Sequence, residues 1–401
     1  MISRRATATA VAVIAAVALL PQPAQATAAR ARAAAVTASP PLAFSSEPPQ
    51  RIVDTRIGSP DYGVRKGRIP AYGSLAVVPF DSSGHEASVL SLTVVRPSAY
   101  GSLGVGPTAT TATTALSFSP GEIRTQAVTT LKRDASEGFV VYNHSPGSLD
   151  LVIDETGFFS SYLGGTGGPY FSSPTRIADT RTGLGVAKGR IPPRGVLFVP
   201  TGAAATALWI TVTDPTASGW LSAASGISTS TSVVSFAPGQ TVTATTLVTA
   251  ADTGTVTLYN GSSGFLNVVV DQENSASGAG SAFVAQSPSR IVDTRIGLGT
   301  GGSTAAVAPH SSLVVQVAGG TSPVPTGSYG AALSVTVTQS TGAGYIKVAS
   351  AADTSAISFE PGNFTGFALA GLSRGGTVSI YNGSFGTVHL VVDVEGYFLR
   401  P

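Results

Sequence analysis

The string Arg51-Ile-Val-Asp54-Thr-Arg56 returns as Arg176-Ile-Ala-Asp179-Thr-Arg181 and again as Arg290-Ile-Val-Asp293-Thr-Arg295. The offsets, 125 and 114 residues, are far too long for a solenoid repeat and suit a small domain. Any fold for this chain is therefore one pattern built three times.

Further landmarks recur in the same order. Leu90-Ser-Leu-Thr-Val94, Leu208-Trp-Ile-Thr-Val212 and Leu333-Ser-Val-Thr-Val337 alternate with period two, which predicts half-buried strands with aliphatic and mainly Ser/Thr faces. Each is followed by a turn and a glycine, at Gly101, Gly219 and Gly344. Next come Ser117-Phe-Ser-Pro-Gly121, Ser235-Phe-Ala-Pro-Gly239 and Ser358-Phe-Glu-Pro-Gly362, each a buried aromatic before a Pro-Gly turn. Tyr142-Asn143, Tyr259-Asn260 and Tyr381-Asn382 end a strand, with Gly147, Gly264 and Gly386 four residues after each Asn, and the following run is apolar until Asp154, Asp271 or Asp393. This spacing predicts a terminal hairpin whose second arm is covered on both faces.

Charged residues are scarce at 11%, and the chain has 47 Gly and 26 Pro, which favours short strands and many turns over helices. The expected fold is all-β, with three tandem β-sandwich or barrel-like modules at 44–159, 170–273 and 282–401, joined by Gly/Ser-rich linkers at 160–169 and 274–281. One closed pseudo-threefold β assembly is the alternative. A basic start with Arg4 and Arg5, an apolar stretch over 10–20 and Ala24-Gln25-Ala26 read as a secretory signal peptide over 1–26, followed by a flexible leader at 27–43. The apolar stretch is short for a bilayer span, and Ser3-Arg4-Arg5 fits a general export signal better than a twin-arginine one. The expected location is extracellular, with association at the cell envelope.

Removing Arg4 and Arg5 takes the 23 basic residues to 21, against 21 acidic ones, so the exported chain carries no electrostatic footprint for nucleic acid or anionic membrane. There is no cysteine, so buried apolar area rather than disulfides must stabilise the fold.

The pairing of Arg-Ile-x-Asp-Thr-Arg at the start of a repeat with Val-Val-Asp-x-x-Gly-Tyr-Phe at its end resembles tandem repeats of secreted actinobacterial proteins, over about residues 44–399. That resemblance implies export and association with the envelope or surface, and no particular activity. The second copy departs from it, because Asp271-Gln-Glu-Asn replaces the Gly157-Phe-Phe159 and Gly396-Tyr-Phe398 endings. An aromatic platform at those endings would be missing from the middle repeat.

Two readings bear on the charged motif. In the first, Asp54, Asp179 and Asp293 pair with Arg56, Arg181 and Arg295 or with Arg51, Arg176 and Arg290, while Asp154, Asp271 and Asp393 complete a network fastening first strand to last. A buried carboxylate requires such partners. In the second, Asp54 and Asp154 converge on Ca²⁺ or on sugar hydroxyls, but two carboxylates beside arginines make a poor cation site, so no metal and no cofactor are expected. Tyr142, Tyr259 and Tyr381 either pack under loops or present rings to a ligand. Trp220 and Tyr345 occupy equivalent positions, where the first copy has Ser102.

Catalysis has little support. His85, His310 and His389 have no counterparts in the other repeats, and His144 stands where they carry Gly261 and Gly383. A glycosidase built on Asp54 and Asp154 would lack a general acid, since the arginines keep both ionised. Asn143-His-Ser, Asn260-Gly-Ser and Asn382-Gly-Ser read as turn chemistry rather than glycosylation sites. The favoured function is non-catalytic binding or adhesion to cell-wall or extracellular polysaccharide. A structural spacer or coat without a ligand site is the alternative, and an extracellular glycoside or peptidoglycan hydrolase is a third.

Overall fold

The computed structural model describes residues 42–78, 85–109, 113–132, 138–161, 170–202, 205–276, 281–348 and 357–400. The expected signal segment over 1–26, most of the expected leader, and 162–169 and 277–280 of the expected linkers lie outside them.

The first repeat supplies β1 (Ala43–Asp54), β2 (Ser74–Val77), β3 (Ala87–Val95), β4 (Gly101–Gly106), β5 (Leu116–Phe118), β6 (Ile123–Leu131), β7 (Phe139–Asn143) and β8 (Asp150–Ser160). The second supplies β9 (Tyr170–Asp179), β10 (Val196–Pro200), β11 (Ala205–Thr213), β12 (Gly219–Ala224), β13 (Val234–Phe236), β14 (Val242–Thr249), β15 (Thr255–Asn260) and β16 (Asn267–Ala276). The third supplies β17 (Phe283–Asp293), β18 (Ser312–Gln316), β19 (Gly330–Thr338), β20 (Gly344–Val348), β21 (Ile357–Phe359), β22 (Phe364–Gly371), β23 (Thr377–Asn382) and β24 (His389–Phe398). The protein is all-β, with no α-helix among the described residues.

Each repeat folds into two four-stranded antiparallel sheets, β1-β8-β3-β6 with β2-β7-β4-β5 in the first. The second and third repeat this as β9-β16-β11-β14 with β10-β15-β12-β13, and β17-β24-β19-β22 with β18-β23-β20-β21. Counting strands from one to eight within each repeat gives 1-8-3-6 and 2-7-4-5 every time, the strand order of a jelly roll.

That order corrects the expected terminal hairpin. β7 pairs with β2 and β4, whereas β8 pairs with β1 and β3, so the chain crosses between sheets at the Asn-x-Ser loop. The asparagine explains the crossing. Buried Asn143 donates through Nδ2 to the carbonyls of Pro70 and Gly147, both at 2.8 Å, and its Oδ1 accepts from the N–H and hydroxyl of Ser145 at 2.9 and 2.7 Å. Asn260 and Asn382 bracket their loops in the same way. A side chain satisfied on both sides by backbone stabilises an arch. Gly101 is required beside it, because any Cβ there would collide with Ser145.

The two sheets of a repeat face each other over their own core, which in the first includes Leu90, Leu92, Leu103, Phe139 and Leu151. A fourth core belongs to no single repeat: Leu42, Phe159, Ala207, Leu247, Phe283 and Phe367 pack together. The expected modules in series are thereby corrected, since the described residues fall in one compact unit. Edge strands carry the connection in cyclic order: β6 packs on β13, β14 on β21, and β22 on β5. The six small sheets thus succeed one another in a ring, a propeller-like arrangement.

Three expectations change as a result. β3 and β19 are buried at every residue rather than half-buried, because their Ser/Thr faces are covered. The aromatic endings are core, not platform: Phe159 and Phe398 are fully buried, and Phe159 stacks on Phe283 with ring centroids 4.1 Å apart. The end of the leader is also structural, for Leu42 is buried and exchanges backbone hydrogen bonds of 2.8 and 2.9 Å with Phe283.

Candidate binding site at the seams between repeats

The charged motif forms two kinds of clamp in each repeat. Arg56 donates through Nε and Nη2 to its near neighbour Asp54, at 2.8 and 2.6 Å, and Arg181 with Asp179 and Arg295 with Asp293 repeat this geometry. Arg51 instead spans strands to reach Asp154, at 2.8 and 3.1 Å, as Arg176 does to Asp271 and Arg290 to Asp393. Two-point contact fixes both groups and is stronger than a single neutral hydrogen bond. Between the clamps, Thr55 accepts from the Leu151 N–H at 2.9 Å, and Thr180 and Thr294 do the same with Val268 and Leu390.

The two carboxylates of each repeat titrate in opposite directions. Burial alone would raise Asp54, but the hydrogen bonds and charge of Arg56, with help from Arg51, hold it below the usual value. The bonds to Arg181 and Arg295 hold Asp179 and Asp293 low in the same way. Burial pushes Asp154, Asp271 and Asp393 up, against the opposing pull of Arg51, Arg176 and Arg290.

Two of the terminal-strand carboxylates also face the next repeat. Asp154 accepts from the Ser232 N–H at 2.9 Å, and Asp393 from the Thr114 N–H at 2.8 Å. A hydroxyl relay runs alongside. Thr93 bonds Thr125 at 2.8 Å, and Thr125 bonds Ser235 of the second repeat at 2.6 Å. Thr211, Thr243 and Ser358 repeat the relay at 2.8 and 2.9 Å, and Thr336, Thr365 and Ser117 close the ring at 2.9 and 2.8 Å. Neighbouring repeats are therefore joined by paired polar groups that water would otherwise have to satisfy.

Open grooves lie along two of these seams. One, of about 310 Å³, is lined by Arg51, Arg56 and Thr93 from the first repeat and by Trp220, Ser232 and Ser235 from the second. Its counterpart, of about 420 Å³, is lined by Arg176, Arg181 and Thr211 from the second and by Tyr345 and Ser358 from the third. Residues separated by a whole repeat in sequence, the motif arginines and the Trp220/Tyr345 position, thus share one site.

The ring at this position is matched to the strand beside it. Trp220 lies over Gly261 and Tyr345 over Gly383, where a Cβ would strike the ring. In the first repeat both residues change: Ser102 leaves the space and His144 occupies it, its Nδ1 within 3.2 Å of the Ser102 hydroxyl. Each repeat therefore keeps a pair of rings: Tyr142 with His144 at 4.9 Å between centroids, Trp220 with Tyr259 at 5.6 Å, and Tyr345 with Tyr381 at 6.5 Å. Tyr259 is buried, whereas Tyr142 and Tyr381 are half-buried.

The other histidines lie apart from the grooves. His85 stacks on Phe158, His310 meets Tyr381 and Phe385, and His389 bonds Thr294. Among the described residues no three His, Asp or Glu side chains converge as metal ligands, and no helix is long and apolar enough to cross a membrane. Two members of each relay recur in the strand and Ser-Phe-x-Pro-Gly motifs, as Thr93 and Ser235 do, but the middle threonine, Thr125, lies outside both, so the sequence carries no signal for the relay as a whole.

No family model matches the chain, and no curated protein matches it in sequence. Among solved structures, a chain from the atomic structure of Sulfolobus Turreted Icosahedral Virus shares 10% identity over 91% of this chain and all of that one, with a TM-score of 0.22. A chain from the triple jelly roll fold and turret assembly of an archaeal virus shares 9% over 90% and 98%, with a TM-score of 0.20.

Proposed function

We propose that the chain is a secreted, non-catalytic binding protein whose three repeats form a pseudo-threefold body and that it holds extracellular or cell-wall polysaccharide. The observation that carries this reading is the recurrence of one composite groove, with clamped arginines from one repeat and an aromatic ring from the next. A polymer of identical units suits repeated sites on a rigid frame, because a second contact then forms at high effective concentration. The clamps argue for binding over hydrolysis: Asp54 is kept ionised by Arg56, which is wrong for a general acid. Asp154, which burial raises rather than the arginines holding it ionised, is fully buried and bonded to Arg51 and the Ser232 N–H, out of a substrate's reach.

Cosedimentation with insoluble peptidoglycan, chitin and cellulose at low salt tests the reading. Retention on at least one polymer is expected, and full recovery in the supernatant from all three would contradict it. A structural coat or spacer is the second reading, favoured by the shared core that locks the repeats together. It predicts that recovery in the supernatant is complete.

A further inference from the structure

We infer that the grooves on the first–second and second–third seams each bind an uncharged, β-1,4-linked pyranose chain stacked on Trp220 or Tyr345, and that the third–first seam does not. This rests on the polysaccharide-binding reading above and gives it a ligand class, a location and a valency.

Charge selects the class. In the first groove Arg51 and Arg56 are balanced by Asp154 and Asp54, and in the second Arg176 and Arg181 by Asp271 and Asp179. Each cluster is neutral, and each groove has one further carboxylate close by. Glu360 lines the second groove, and Glu122, which accepts from the Ser119 N–H and pairs with Arg124 at 3.8 Å, lines a hollow of about 430 Å³ that adjoins the first and shares Trp220 with it. An anionic polymer would meet no unpaired motif arginine in either groove, although the Lys347 ammonium stands 5.8 Å from the Tyr345 ring centroid. Hydroxyl groups meet fixed partners instead: guanidinium groups with five N–H donors, two of them engaged by carboxylate in each of Arg51 and Arg56.

Shape selects the linkage. A half-buried indole gives a flat apolar surface with little entropy left to lose. A pyranose with equatorial substituents presents a matching flat C–H face, and a β-1,4 linkage keeps successive faces extended. Trp220 stands between the groove with Arg51 and the hollow with Glu122, so a chain can cross the indole and leave at both sides. Volumes of about 310 and 420 Å³ fall within the range of about 300–1,000 Å³ typical of small-ligand sites.

Valency follows from the ring exchange in the first repeat. At the third–first seam the residue equivalent to Trp220 is Ser102, the strand partner of Ser117, which joins that seam to Thr365. A hydroxyl in place of an aromatic ring removes the stacking surface.

Isothermal titration calorimetry with cellohexaose and with chitohexaose tests this on the exported chain. Binding of either with two sites per chain is expected. Trp220→Ala and Tyr345→Ala should each remove one site or weaken it about tenfold, the scale of a lost ring contact. Trp220→Phe, which keeps a ring, should bind within a few-fold of the parent. Ser102→Trp together with His144→Gly should raise the count to three. Polygalacturonate should not compete. Unchanged binding in a folded Trp220→Ala, Tyr345→Ala double variant, or preference for polygalacturonate, would overturn the assignment while leaving polymer retention intact. Loss of retention on every insoluble polymer would instead remove the reading beneath it.

Discussion

Two ion pairs in each repeat use the same residue types at different ranges. Arg56 reaches Asp54 two residues away at the rim, with 46% of its side chain exposed, whereas Arg51 reaches Asp154 across 103 residues of chain, and that carboxylate is fully buried against the next repeat. The first clamp shapes a turn. The second ties first strand to last and then one repeat to its neighbour through the Ser232 N–H. Chemistry that looks alike in sequence therefore contributes locally in one case and to the whole ring in the other.

The comparison can be broken by deletion. Asp154→Ala leaves the Arg51 guanidinium and a buried N–H without their acceptor, and should lower the unfolding free energy by about 3–5 kcal/mol in urea titrations. Asp393→Ala should match it, as it strands Arg290 and the Thr114 N–H.

pH sharpens the contrast, because the two sides carry opposite signs. Glu395, at a bulge in β24, accepts from the N–H and hydroxyl of Thr129 in the first repeat, and burial pushes it up to about 7. Its folded value lies above its unfolded one. Its contribution is therefore fully present below about pH 4.5 and lost as pH rises through about 7, on the order of 3 kcal/mol. The rim carboxylates Asp54, Asp179 and Asp293 are held low, so their contribution is present above the ordinary carboxylate value and fades as pH falls through their lowered ones. Stability curves from pH 4 to 8 should show the Glu395 step, and Glu395→Gln should flatten it.

Smaller effects complete the series. Thr125→Val removes the middle of a seam relay and leaves Ser235 with one partner fewer, which should cost about 1–2 kcal/mol. Arg56→Ala, at the solvent-facing clamp, should cost about 1 kcal/mol or less and fade further in high salt.

The sequence exposes the strands and their triplication because period two and turn residues act locally. The motif arginines and terminal aspartates are also visible as complementary charge. Three features are not. Alternation in Leu90-Ser-Leu-Thr-Val94 says that its faces differ, but whether water or another repeat covers the hydroxyl face depends on contacts such as Thr125 with Ser235, 110 residues apart. Asn143 with a following glycine suits both a hairpin and an arch, and the Nδ2 bond to Pro70, 73 residues away, selects the arch. The exchange of Trp220 and Gly261 for Ser102 and His144 looks like a mismatch until both strands are seen side by side.

Scanning calorimetry of the protein tests most directly whether the three repeats are one interlocked body. A shared core and three polar seams predict a single unfolding transition whose calorimetric and van't Hoff enthalpies agree. Separate transitions, or a calorimetric enthalpy about three times the van't Hoff value, would mean that the repeats melt independently and that the seams do not hold them together.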